Sequence, residues 1–438
     1  MAISKGRLEL VKLFISSGAE VNESRGNDYD IGSPLDTAIG FGYLEIVKVL
    51  LASGGLIDQA DSHGNTPLNN ANYKGHLEIV KYLVSLGALV DEVNMGGLTP
   101  LHTACTYGHS EIVKILIKVS GSVNQINDEG YTPLLSASEA GHLEVVKLLT
   151  ASGADLNKAN PEGWSPLNRA IVCEYLDIVK VLVESGADLD TKNPGPDIET
   201  PLVTAIRIQN LKMVKVLVAG GVTVNPPLGY GLHPLSHACD QSKSMEIPKF
   251  LIEKAGAHVN LPYTKVTALH MASLNGHFSL VKYLISSGAH VDVYDRNDET
   301  PLHTASRHGR LQVVKLLIAS GAFVNNENYE GVSALLLASM KGQLEVVKVL
   351  LRSGAKYDQV SDSGETAMSL ALEGGHDQVV KCLKGEINWE RRRPLLLMRP
   401  WDDHQENKAH RPTFLGRFLV DQNDREGSYI KRDIARFL

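Results

Sequence analysis

Apolar and polar positions follow one order along most of the chain, two short helical patterns separated by turns, at nearly constant spacing. In EIVKYLV (78–84), Ile79, Val80, Leu83 and Val84 fall on one side of a helix. The segment GLTPLHTACTYGHSEIVKILI (97–117) recurs as GYTPLLSASEAGHLEVVKLLT (130–150), and again from Glu299 to Ile318. Each unit predicts the same elements. Thr or Ser before Pro suits an N-cap followed by proline at the first helical position. Small residues such as Ala104 and Ala137 in that helix permit close packing. Gly-His, as in Gly108-His109, makes a turn into the second helix, and Gly-Ala closes it with a left-handed glycine. The Asn/Asp and Gly of the stretch Asn124 to Gly130 turn the chain into the next unit.

The proline slot is filled by Pro34, Pro67, Pro100, Pro133, Pro166, Pro201, Pro234, Ala268, Pro301, Ala334 and Ala367, with gaps of 33, 34 or 35 residues. A fixed period in this range means a solenoid rather than a globule. One such unit does not offset its own ordering entropy, roughly 1–2 kcal/mol per residue for the backbone alone, so stability comes from stacking on neighbours.

These residues resemble the ankyrin repeat: G-x-TPLH-x-A, then GHLEIVK-x-LL, then GA-x-V-N, over about residues 2–385. The resemblance implies an all-α solenoid of helix-turn-helix units with short β-hairpin loops, wound as an ankyrin-repeat superhelix. It also implies a concave face of hairpin tips and inner helices that binds other proteins. Twelve units are expected, the first incomplete, since Ala2 aligns with Ala38 and the preceding TPL turn is missing. Either that unit is an improvised cap or the natural chain begins earlier, and the second reading is preferred. The expected organisation is a repeat array over 1–385 and a non-repeat segment over 386–438. PGPDIET (194–200) and VNPPLGYGLHP (224–234) interrupt the pattern, either bending the stack or serving as tolerated loops. Pro248 sits early enough in its outer helix for the first turn to accept it.

Composition narrows the function. The net charge of −7 exerts no strong pull toward nucleic acid, and no apolar run is long enough to span a bilayer. Glu9 and Lys12 interrupt what would be the apolar part of a signal peptide. Cys105, Cys173, Cys239 and Cys382 are scattered without metal-ligand spacing, as expected of reduced packing thiols in the cytoplasm, with the nucleus as the alternative. His102, His270 and His303 each follow a Thr-Pro-Leu or Thr-Ala-Leu turn, where other units carry Leu135, Asn168 or Ser236. A catalytic group is not distributed over a scaffold slot, so these histidines are expected to hydrogen-bond turns. No nucleotide-binding, kinase or zinc-protease signature is present. The expectation is a non-catalytic, monomeric chain that binds one or more proteins and needs no cofactor or metal.

A lysine ladder runs through the outer helices from Lys12 to Lys381, and in eight units an acid lies three residues earlier: Glu9, Glu45, Glu78, Glu111, Glu144, Asp177, Glu246 and Glu345. That spacing makes helix-surface pairs and a largely neutralised stripe. The informative slot lies two residues before each proline, where Leu98, Tyr131 and Trp164 stand in succession. The resemblance implies that this slot faces the concave groove, and inner-helix slots nearby hold Tyr73, Tyr107, Glu139 and Arg207. Exposed aromatics beside arginine are the residue types that dominate interface hot spots. These seven residues are the candidate partner-binding patch, centred on Tyr131 and Trp164. The competing reading is that the two rings only pack on adjacent hairpins.

After Gly385 the repeat stops, yet INWERRRPLLLMRPW (387–401) and YIKRDIARFL (429–438) remain apolar. This segment is read as a cap over the last repeat, as a docking element using Trp389, Ile430, Ile434 and Phe437, or as a basic patch at Arg391–Arg393. It is also similar to the F-box-like ends of some ankyrin proteins that recruit ubiquitin ligases, although it lacks their leading Leu-Pro. A substrate-recognition adaptor of a ubiquitin ligase is therefore the alternative function.

Overall fold

A computed structural model describes residues 2–23, 32–120, 122–191, 200–227, 233–240, 244–261 and 266–386. The repeats fall into two compact units, Met1–Thr223 and Val224–Leu438. The first unit holds helix pairs that run from the 3-10 turn Ile3–Lys5 with Leu8–Ser16 through to Pro201–Arg207 with Leu211–Ala219. The second runs from Pro234–Asp240 with Glu246–Glu253 to Ala367–Glu373 with a closing helix over 377–386. The tail candidates Trp389, Ile430, Ile434 and Phe437 lie outside the described residues, as do most of PGPDIET and part of VNPPLGYGLHP.

The fourth repeat shows why these residues fold as they do. The Thr99 hydroxyl accepts a hydrogen bond from the His102 N–H at 3.2 Å, and Pro100 starts the helix Pro100–Thr106 where no N–H is needed. The outer helix Ser110–Ser120 then turns Ile112, Val113 and Leu116 inward, all buried. Ala104, Ala137 and Ala170 are wholly buried between successive inner helices, where a larger side chain would push the stack apart. Each buried Leu or Ile in such a core stabilises by about 1.5–3 kcal/mol, and the interfaces between repeats supply most of them.

The GA-x-V-N pattern has a direct physical role. Asn124 accepts from the Asp155 N–H at 2.7 Å and donates to the Gly153 carbonyl at 3.3 Å. Asn22 does the same to Leu56 and Gly54, and Asn325 to Lys356 and Gly354. Every such residue satisfies backbone groups left open where the next outer helix ends, and so ties consecutive repeats together.

The expected β-hairpins are tighter than the resemblance implies. Among the described residues no strand forms, and isolated bridges such as Glu327 with Ser333 and Val360 with Thr366 are all that remain of a ladder. The Asn127 N–H donates to the Tyr131 carbonyl at 3.0 Å, but the Asn127 side chain then takes the Tyr131 N–H at 2.8 Å and the Glu129 N–H at 3.1 Å. With its donors captured by an Asx turn, the loop has no second rung to offer. Asp61, Asn94, Asn160, Asp295, Asn328 and Ser361 occupy the same place in their repeats and accept in the same way.

Seven of the eight predicted surface pairs form, among them Lys81–Glu78 at 2.6 Å and Lys348–Glu345 at 2.7 Å. Lys249 is the exception and turns to Glu253 at 3.8 Å instead of Glu246. Glu246 is the first residue of its helix, whereas each paired acid with a described cap, such as Glu45 after Leu44, is the second. Pro248 is buried in the first turn of that helix without breaking it.

Candidate protein-interaction site

The histidines of the TPLH turns act as spacers between repeats. His102 Nδ1 lies 2.8 Å from the Thr99 hydroxyl and accepts from its N–H, while Nε2 faces the Tyr131 carbonyl of the next hairpin at 3.0 Å. His270 and His303 repeat the arrangement with Thr267 and Glu299, and with Thr300 and Val332. Burial pushes all three imidazoles down, against the carbonyl hydrogen bonds that favour their protonated forms. They are turn residues, as the sequence indicates. Cys105 and Cys239 are buried free thiols whose ionisation is pushed up by burial. Among the described residues no group of three or more His, Cys, Asp or Glu side chains is arranged to hold a metal. No described helix is long and apolar enough to cross a membrane.

In the first unit, successive hairpin turns carry Leu98, Tyr131 and Trp164, each half-buried. The Asn94 and Asn160 side chains fix the Leu98 and Trp164 backbones just as Asn127 fixes that of Tyr131. Tyr131 and Trp164 are joined through a residue that the sequence reading missed. Arg169, on the inner helix Pro166–Val172, donates from Nη2 to the Tyr131 hydroxyl at 3.1 Å. Its guanidinium carbon lies 4.8 Å from the centre of the Trp164 ring, and Nη2 is 3.4 Å from Glu139. Partial burial pushes the Tyr131 phenol up; the Arg169 hydrogen bond opposes this and the Glu139 charge adds to it. The result is an ordered aromatic pair with one cation as its hinge, pre-organised so that little side-chain entropy remains to be lost on docking.

Tyr73 and Tyr107 form a second aromatic pair, edge to face with centroids 4.7 Å apart, and both are about half exposed. Lys74 places its ammonium 4.6 Å from the centre of the Tyr73 ring. Arg207 is exposed at the end of its own helix, Pro201–Arg207, and the cation that organises the aromatic pair is Arg169. A signal for Arg169 does exist in the sequence. It stands three residues after the proline slot, where other repeats of this unit carry Thr37, Asn70, Thr103, Ser136 or Thr204.

In the second unit two of the corresponding hairpin slots are used internally, while Val266 and Glu365 in the same slot are half-buried. Glu299 is buried and paired with Arg307, and Val332 is buried as well. Burial pushes the Glu299 carboxyl up while Arg307 holds it down.

A family model for ankyrin repeats, in three copies, matches residues 1–94, 87–160, 123–193, 243–328 and 323–393. No curated protein matches the chain.

Proposed function

Because the chain belongs to the ankyrin-repeat family, whose repeats are generally non-catalytic protein–protein interaction modules, we propose that it is an adaptor that holds a protein partner on the hairpin and inner-helix face of its first unit. The observation that carries this reading is the ordered, half-buried Tyr131–Arg169–Trp164 cluster, with the exposed Tyr73–Tyr107 pair on neighbouring repeats. Binding would bury aromatic faces against the partner while Arg169 and Glu139 keep their mutual contact at the rim. Leu98, in the same repeat as Tyr107 and one repeat before Tyr131, supplies apolar contact.

The test is capture of partners from a cell extract by the immobilised full chain and by the Tyr131→Ala/Trp164→Ala variant. Each hot-spot aromatic contributes about 2 kcal/mol or more, so the double variant is expected to lose its specifically retained proteins at least tenfold. Thermal unfolding of the variant, which removes only half-buried rings, is expected to stay cooperative. An unchanged set of retained proteins would sink the reading.

A further inference from the structure

At the start of the first unit, inner-helix and turn residues enclose a groove of about 1100 Å³. Phe41 and Tyr73 expose roughly half of their rings on its wall, and Asp36, Asp61 and Asn70 lie along its lining. Asp36 takes the Ser33 N–H and hydroxyl on one oxygen and the Asn70 amide on the other, at 3.2 Å. The same amide nitrogen is 3.4 Å from Asp61, so a single neutral group bridges the two carboxylates. Burial pushes the Asp36 carboxyl up despite those hydrogen bonds, and the Asp61 charge adds to the shift.

Two other carboxylates are matched by a cation within their own units, Glu139 by Arg169 and Glu299 by Arg307. Asp36 and Asp61 have no cationic partner among the described residues, and Glu20 and Glu23 add two more acids to the groove. Lys74 is the one cation among the described lining residues, and its ammonium already sits over the Tyr73 ring. That contact shows what the groove accommodates: a positive group against an aromatic face.

We propose that this groove holds a basic, extended segment of the protein partner, with an arginine or lysine side chain reaching the Asp36–Asp61 pair and the adjoining residues covering Phe41 and Tyr73. The inference rests on the reading that the first unit holds a protein, and it gives that protein its chemistry. The excess of acid in the groove selects a cationic segment and disfavours an acidic one, while the aromatic rings supply contact area that salt does not screen.

The experiment is fluorescence anisotropy of a fluorescein-labelled oligoarginine peptide titrated with the full chain. Two substitutions that remove charge while keeping shape are available, because Asn69 and Asn168 stand in the Asp36 slot and Asn94 and Asn127 in the Asp61 slot of other repeats. Asp36→Asn/Asp61→Asn is expected to weaken binding about tenfold or more, and Phe41→Ala several-fold. A control that removes the same charge from the outer helices, Glu78→Gln/Glu111→Gln, is expected to bind within about twofold of the parent. Equal losses in the groove and control variants, or no loss in the groove variant, overturn the proposal. Should oligoarginine fail to discriminate while partner capture still depends on Tyr131 and Trp164, only the groove assignment falls.

Discussion

As the pH falls from 7 toward 4, two buried histidines are expected to destabilise the second unit by several kcal/mol, an effect partly offset by the Glu299 and Asp292 carboxyls, which burial pushes up. His303 and His233 are held by burial at about 4, against 6.5 when free, with Arg307 lowering and Asp295 raising His303, and His258 lowering His233. For His303 the geometry gives a second cause. Its Nδ1 must accept from the Thr300 N–H at 3.1 Å, and a proton there would set two N–H groups against each other. The sign follows from proton counting. Between 4 and 6.5 the unfolded chain binds more protons than the native one, so stability rises with pH across that window. The contribution is complete above about 6.5, declines as pH falls, and is gone near 4. Each of the two groups accounts for about 3 kcal/mol on this basis. Urea unfolding at pH 7 and at pH 4.5 measures it. His303→Leu is the informative variant because Leu135 and Leu336 fill the same slot, both buried. It gives up a cap contact worth about 1 kcal/mol at pH 7 but is expected to unfold with a distinctly smaller pH dependence than the parent. Equal pH dependence in the two proteins would refute the assignment.

Gly108→Ala is expected to destabilise the first unit by about 3 kcal/mol, and Gly87→Ala by about half of that. Both glycines adopt left-handed backbone, with φ of +76° and +87°, which costs an L-residue about 1–2 kcal/mol. They differ in what a methyl group would meet. At Gly87 there is nothing within 4 Å, whereas at Gly108 the new carbon would lie 2.5 Å from His142 Nδ1. His142 also holds the Thr106 carbonyl through Nε2 at 2.9 Å, so the ring cannot withdraw without giving up a contact between repeats. Overpacking of this kind costs a further ~1–3 kcal/mol. Chemical denaturation of the two variants side by side separates backbone strain from the clash. Matching losses would show that the turn of one repeat does not bear on the next.

The repeat architecture was legible because each repeat must satisfy the same backbone groups with the same side chains. The proline slot and the left-handed glycines are local solutions, the Asn of GA-x-V-N bonds to the next repeat at a fixed offset, and all of them recur at a period that a single sequence displays. What stayed hidden depends on contacts between positions far apart in the chain. Arg169 reaches Tyr131 across 38 residues, and its importance shows only once neighbouring repeats are stacked. Arg207 resembled the missing cation on slot chemistry, but Arg169 holds the place between the two rings. The choice of Lys249 between Glu246 and Glu253 turned on where a helix begins, a boundary that helical periodicity leaves open by a residue or two. The hairpins shrank to turns because an Asx side chain competed successfully for the backbone donors of a ladder, and Asn127 carried that information in plain sight.

The most direct measurement places a photoreactive phenylalanine at Leu98 in one protein and at Lys81, on the exposed outer helix, in another, and reads covalent adducts after irradiation in cell extract. An adaptor that works through its hairpin and inner-helix face predicts a discrete protein adduct from position 98, lost when Tyr131→Ala/Trp164→Ala is added, and none from position 81. A discrete adduct from position 81 with none from position 98 would contradict that account.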